Sequence, residues 1–129
     1  MMFKPGDIVS FVCKDGSFGM AKVLRVDTHD DLPVPQPVYH FLIYSLRNLF
    51  PPNASYLPDA KAFIAHLPIM ESGVKQSGAT FIAYQEISDS ELEAYAIWKQ
   101  AFFRGEAGIF ELTIDEAVSI MIEASGFSS

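Results

Sequence analysis

The sequence has 129 residues, 16 acidic and 9 basic side chains, and a formal net charge of −7. Half of the residues are apolar and 19% are charged, which excludes an intrinsically disordered chain, because disorder needs low hydrophobicity and dense charge. The balance also argues against nucleic-acid binding, which needs clustered Lys and Arg to meet phosphate. One domain over residues 1–129 is expected, and a chain this long can bury roughly two-thirds of its unfolded surface.

The first third reads as β. Ile8 to Cys13 and Phe18 to Val26 are rich in β-branched and aromatic residues, with Lys14-Asp15-Gly16-Ser17 between them. Asp-Gly between two such runs predicts a hairpin with a type I′ turn, pairing Cys13 or Lys14 with Ser17 or Phe18. From Asp27 to Pro37 three prolines in five residues predict an extended loop, since proline cannot join a ladder. Val38 to Ser45 then reads as a central strand. Residues 59–69 are ambiguous between helix and strand, and a strand from Ala62 to Ile69 is preferred. Gly73 to Gly78 is a turn or a single helical turn, and Thr80 to Ile87 is another strand.

The last third reads as two helices. Ser88 with Glu91, and Thr113 with Glu116, each form the Ser/Thr-x-x-Glu capping box. The first helix places Leu92, Tyr95, Ala96, Phe102 and Phe103 on one stripe with Trp98 at its edge, and ends at Arg104-Gly105. The second carries Ile114, Ala117, Val118 and Met121 on one face and stops at Gly126. The order predicts an α+β fold: a bent antiparallel N-terminal sheet, with an SH3-like bend as one form, packed against two C-terminal helices.

Cys13 stands alone, so no intramolecular disulfide can form, and its apolar setting favours a buried hydrophobe over a reactive thiol. The N-terminus has no apolar core behind Lys4, so no signal peptide is read. The apolar runs are broken far short of the roughly 20 residues that a spanning helix needs. A cytoplasmic protein without membrane association is expected. His29, His40 and His66 are widely separated, no Cys-x-x-Cys or His-x-x-x-His occurs, and no phosphate-binding glycine motif is present, so no metal, cofactor or catalytic residue is assigned.

Residues 1–85 carry seven acids and seven bases, so the whole charge excess lies in residues 86–129, with nine acids against Lys99 and Arg104. Asp89, Glu91, Asp115 and Glu116 fall in first turns, where carboxylates complement the helix dipole. Glu93, Glu106 and Glu111 lack such a reason and are the candidate partner-binding residues, for a basic protein partner steered by charge. A rival reading is a small-molecule site or enzyme with a pocket between sheet and helices, lined by His40, His66, Tyr84 or Trp98. A third is a structural subunit that closes a homodimer.

Gly6-Asp7-Ile8-Val9, Asp15-Gly16-Ser17-Phe18-Gly19 and Val23-Leu24-Arg25-Val26 together resemble the start of a bacterial immunity-protein family found beside polymorphic toxins, immunity protein 26. The resemblance covers residues 6–26. It implies a non-enzymatic module that binds and neutralises a cognate toxin. It carries over no functional residue, because turn and packing needs already account for Asp7, Gly16 and Gly19.

Overall fold

A computed structural model describes residues 2–126. Five strands, β1 (Asp7–Val12), β2 (Phe18–Asp27), β3 (Val38–Asn48), β4 (Ala62–Met70) and β5 (Thr80–Tyr84), form one antiparallel sheet in the order β4-β3-β2-β1-β5. A short helix α1 (Glu71–Lys75) follows β4, and α2 (Glu93–Phe103) and α3 (Ile114–Ala124) complete the chain. The architecture is the expected α+β arrangement. No helix among the described residues is long and apolar enough to cross a membrane.

The two long helices cover opposite faces of the sheet. Along β3, Tyr39, Phe41 and Ile43 point one way, into a core with Val23, Leu67 and Ile69 that is closed by Ile114, Ala117 and Val118 of α3. The alternate residues Leu42 and Tyr44 pack with Ile8, Met20 and Leu24 near Leu92, and Val38 packs with Tyr95 and Trp98 of α2. Alternation of side chains along a strand makes these two faces necessarily separate. Register shifts in the β1–β5, β2–β3 and β3–β4 pairings interrupt the ladders, and such bulges increase local bend and twist.

Four local expectations are corrected. The β1–β2 hairpin pairs Cys13 with Ser17 (N to O, 2.8 Å) as read, but Gly16 alone has positive φ (87°) among the hairpin residues. Its amide also bonds the Cys13 carbonyl at 2.9 Å, so this is a three-residue connection with a glycine bulge, and a type I′ turn is ruled out by Asp15. The segment after β2 is not simply extended: Asp31 and Leu32 amides both bond the Thr28 carbonyl, and Leu32 and Val34 are buried against α2. The strand read to Ile87 stops at Tyr84.

The start of α2 also differs from expectation. Its box is present, with Ser88 N to Glu91 Oε1 at 2.9 Å and Glu91 N to Ser88 Oγ at 3.3 Å, but a 3-10 turn (Ser90–Leu92) precedes the α-helix. Within the α-helix the buried residues are Tyr95 and Trp98, so Trp98 belongs to the centre of the stripe, while Ala96 and Phe103 face outward. The α3 box at Thr113 and Glu116 has both of its reciprocal bonds.

Candidate functional site

Asp27, Arg25, His40 and His66 converge because of strand register. Arg25 pairs with His40, His40 pairs with Pro68, and Asp27 and His66 lie two residues further along their strands. All four therefore share the face that α2 covers. His40 sits in the middle of an apolar strand and is fully buried, as is Asp27. A buried carboxylate needs several donors, and Asp27 has them: the Tyr95 hydroxyl at 2.7 Å and Arg25 Nε at 3.2 Å.

The chain of polar contacts continues to the surface. His40 Nε2 lies 3.0 Å from Asp27 Oδ2, close enough for charge contact but not aligned as a hydrogen bond. On the other side of the ring, His40 Nδ1 and His66 Nε2 are 2.8 Å apart. The two imidazoles stack with centroids 5.0 Å apart, and Tyr95 and Trp98 meet the His40 ring edge-on at 4.7 and 4.9 Å. Trp98 is held in turn by its Nε1 bond to the Gly108 carbonyl, 3.0 Å.

Burial and neighbours set the protonation of this chain. Burial opposes the Asp27 charge, but contacts with His40, Tyr95 and Arg25 outweigh it and pull its carboxyl down to about 2. Burial pushes His40 down, only partly offset by Asp27, and Arg25 and Lys99 add to the push. His66 is lowered further, to about 3, by burial and by the adjacent His40. Both imidazoles are therefore neutral near pH 7. Burial and the Asp27 charge raise the Tyr95 phenol, so it stays a donor.

His66 opens onto a groove along the outer side of β4, an edge strand. Two cavities of about 380 and about 430 Å³ meet there, both lined by His66 and Met121. The first adds Phe63, Ile64 and Ala94, and the second adds Pro68, Trp98, Ile109 and Phe110. The walls are the overhanging α2 and α3, one on each face of the sheet. At one end Phe110 forms a parallel bridge to Ile69, with Met70 N to Phe110 O at 2.9 Å and Phe110 N to Pro68 O at 3.0 Å. No described residue bonds the outer nitrogen of His66, Nδ1. A larger cavity of about 570 Å³ beside β3 has its charged groups committed elsewhere, Arg47 to Asp115 and Asp15 to Ser17.

The structure brings together three of the four pocket residues expected from sequence, His40, His66 and Trp98. Tyr84 is not with them: it is exposed on β5, where Lys4 Nζ lies 5.1 Å from its ring centre. Glu93, Glu106 and Glu111 are all exposed and are not linked to one another by any described bond. Glu93 lies in the first turn of α2, so the helix dipole accounts for it after all, and Glu106 pairs with Arg104 at 3.2 Å. Glu93 and Glu111 adjoin the groove-lining residues Ala94 and Phe110 in the chain. Cys13 is buried in the α3-side core, away from the α2-side face that holds His40, and burial raises its thiol.

In the sequence Asp27 and Arg25 carry no site assignment, and Tyr95 reads only as part of the α2 stripe. The available signal was a charged residue closing an apolar strand, with a histidine inside the next one. Comparison with protein-family models, with curated proteins and with solved structures returned no match.

Proposed function

We propose that this chain is a non-enzymatic binding module whose β4 groove takes an apolar segment of a basic protein partner. The observation that carries this reading is the groove itself: two largely apolar cavities that share His66 along a sheet edge, with Ser125 in the first donating its hydroxyl to the Ile122 carbonyl. Concave, mostly apolar sites with few polar groups are the usual form of a binding pocket. The excess of acids in the helical third supplies attraction for a basic partner, acting mainly on encounter rate. Neutralisation of a cognate toxin is the most concrete form of this role, supported by the resemblance of residues 6–26.

A small-molecule site or an enzyme in the same groove is the rival reading, and the Asp27–His40–His66 chain favours it geometrically. For an enzyme the chemistry is against it, because burial and the adjacent His40 hold the His66 imidazole at about 3, a poor general base near neutral pH. The sole tryptophan, Trp98, lines the groove and reports on its filling. Titration with a Phe-Leu-Phe peptide flanked by lysines should shift Trp98 emission, with affinity falling as salt is raised. A glutamate-flanked version should not bind. Equal binding of both peptides, or of neither, would contradict the reading.

A further inference from the structure

We infer that the Asp27–His40–His66 chain fixes His66 as a hydrogen-bond acceptor toward the groove, so that the groove selects an occupant side chain bringing an N–H or O–H donor. The inference deepens the binding role proposed above and rests on it. It follows from counting donors outward from the buried end. Asp27 is a carboxylate: Arg25 Nε, which can only donate, points at one oxygen, the Tyr95 hydroxyl donates to the other, and these contacts together with His40 hold its carboxyl well below the usual range. A bare nitrogen lone pair 3.0 Å from Asp27 Oδ2 would be repelled, so the His40 proton sits on Nε2 whatever its angle. Neutral His40 then has only a lone pair at Nδ1, and the 2.8 Å contact to His66 requires the proton on His66 Nε2. Neutral His66 is left with a lone pair at Nδ1, the atom no described residue bonds. Burial of the His40 ring, helped by the charges of Arg25 and Lys99, opposes a doubly protonated His40 more than Asp27 favours it, so the chain is not turned round. Choice of tautomer by the partner of the other ring nitrogen is the general behaviour of histidine.

The test reads the tautomer directly and then its consequence. Long-range proton–nitrogen correlation spectra of the 15N-labelled protein at neutral pH should show His66 with unprotonated Nδ1 and protonated Nε2. A protonated Nδ1, or an imidazolium, overturns the inference regardless of whether anything binds. Indole and benzofuran are the ligand pair, alike in shape but with the N–H donor replaced by an oxygen. Wild type should prefer indole by about five- to tenfold, the size of one added hydrogen bond, and His66→Phe should lose that preference while still binding both.

In Asp27→Asn, Arg25 still requires an acceptor, so the amide nitrogen takes the position facing His40. The whole chain should then reverse, giving protonated His66 Nδ1 and a preference for benzofuran. Equal binding of the two ligands by wild type, or a wild-type preference that persists in His66→Phe, would overturn the selectivity. Absence of all binding with the expected tautomer would instead remove the groove reading beneath it. Should Asp27→Asn fail to fold, the wild-type spectrum and the His66→Phe comparison decide the matter without it.

Discussion

Lys22 is 1% exposed, and its ammonium is fully engaged: Glu91 Oε1 and Oε2 at 3.0 and 3.2 Å, and the Glu86 carbonyl at 2.8 Å. It ties the middle of β2 to the start of α2, so Glu91 serves both a capping box and a buried ion pair. Removing one partner of such a pair leaves the other without compensation. Lys22→Met should therefore destabilise by about 3 kcal/mol in urea unfolding, and Lys22→Met with Glu91→Gln should recover part of that loss. The histidine pair makes a second residue-level prediction. His66 is lowered from 6.5 to about 3, so as pH falls below 6.5 the unfolded chain takes up a proton that the folded chain refuses, and stability drops. Asp27, depressed from 3.8 to about 2, holds its contribution down to about pH 4 and loses it below. Between pH 7 and pH 5 the loss thus belongs to the histidines, about 1–2 kcal/mol for His66 after allowing for solvent at the ring. The urea midpoint should fall over that range, and His66→Phe should flatten the fall. His40 and His66 were legible as pocket residues, but the Lys22–Glu91 ion pair and the Asp27 contact were not. Sequence spacing shows which side chains share a strand face, but the contact of Asp27, His40 and His66 depends on register between three strands, including a shift between Val23 and Arg25.

At the scale of elements the local signals were far more legible, because capping boxes, turn glycines and strand composition act within a few residues. The α3 start is an example: Thr113 Oγ1 accepts from Glu116 N at 3.2 Å, and Glu116 Oε1 accepts from Thr113 N at 3.1 Å. Thr113→Ala should cost about 1 kcal/mol. Asp115 shows the limit of that legibility. Read as a dipole complement, it is buried and accepts from the Lys14 amide at 2.8 Å and from Arg47 at 3.1 Å, docking α3 onto the β1–β2 hairpin and the end of β3. Gly73, in α1, is a second long-range constraint: a Cβ there would collide with the Leu112 backbone carbonyl just before α3. Because backbone cannot rotate away, Gly73→Ala should destabilise by about 2 kcal/mol or more, measurable by thermal or urea unfolding. The 3-10 turn ahead of α2 was invisible for the same reason. It carries Glu91, whose carboxylate meets Lys22 on a distant strand.

For the whole molecule, two helices on opposite faces of one sheet leave the β4 edge between them as a groove, and Glu93 and Glu111 of the acidic helical third adjoin its lining residues Ala94 and Phe110 in the chain. Charge acts at long range on approach, while the groove walls act at contact. Reversing Glu93, Glu106 and Glu111 to lysine should therefore slow association of a basic partner and flatten its salt dependence, with little change in melting temperature. Met121 lines both cavities and is 37% exposed, so Met121→Arg can block the groove without disturbing the core. The most direct measurement is Trp98 emission during titration with the lysine-flanked peptide, made on wild type and on folded Met121→Arg. A saturable shift in wild type that vanishes in the variant is the predicted result, and the same shift in both proteins would place the binding surface elsewhere.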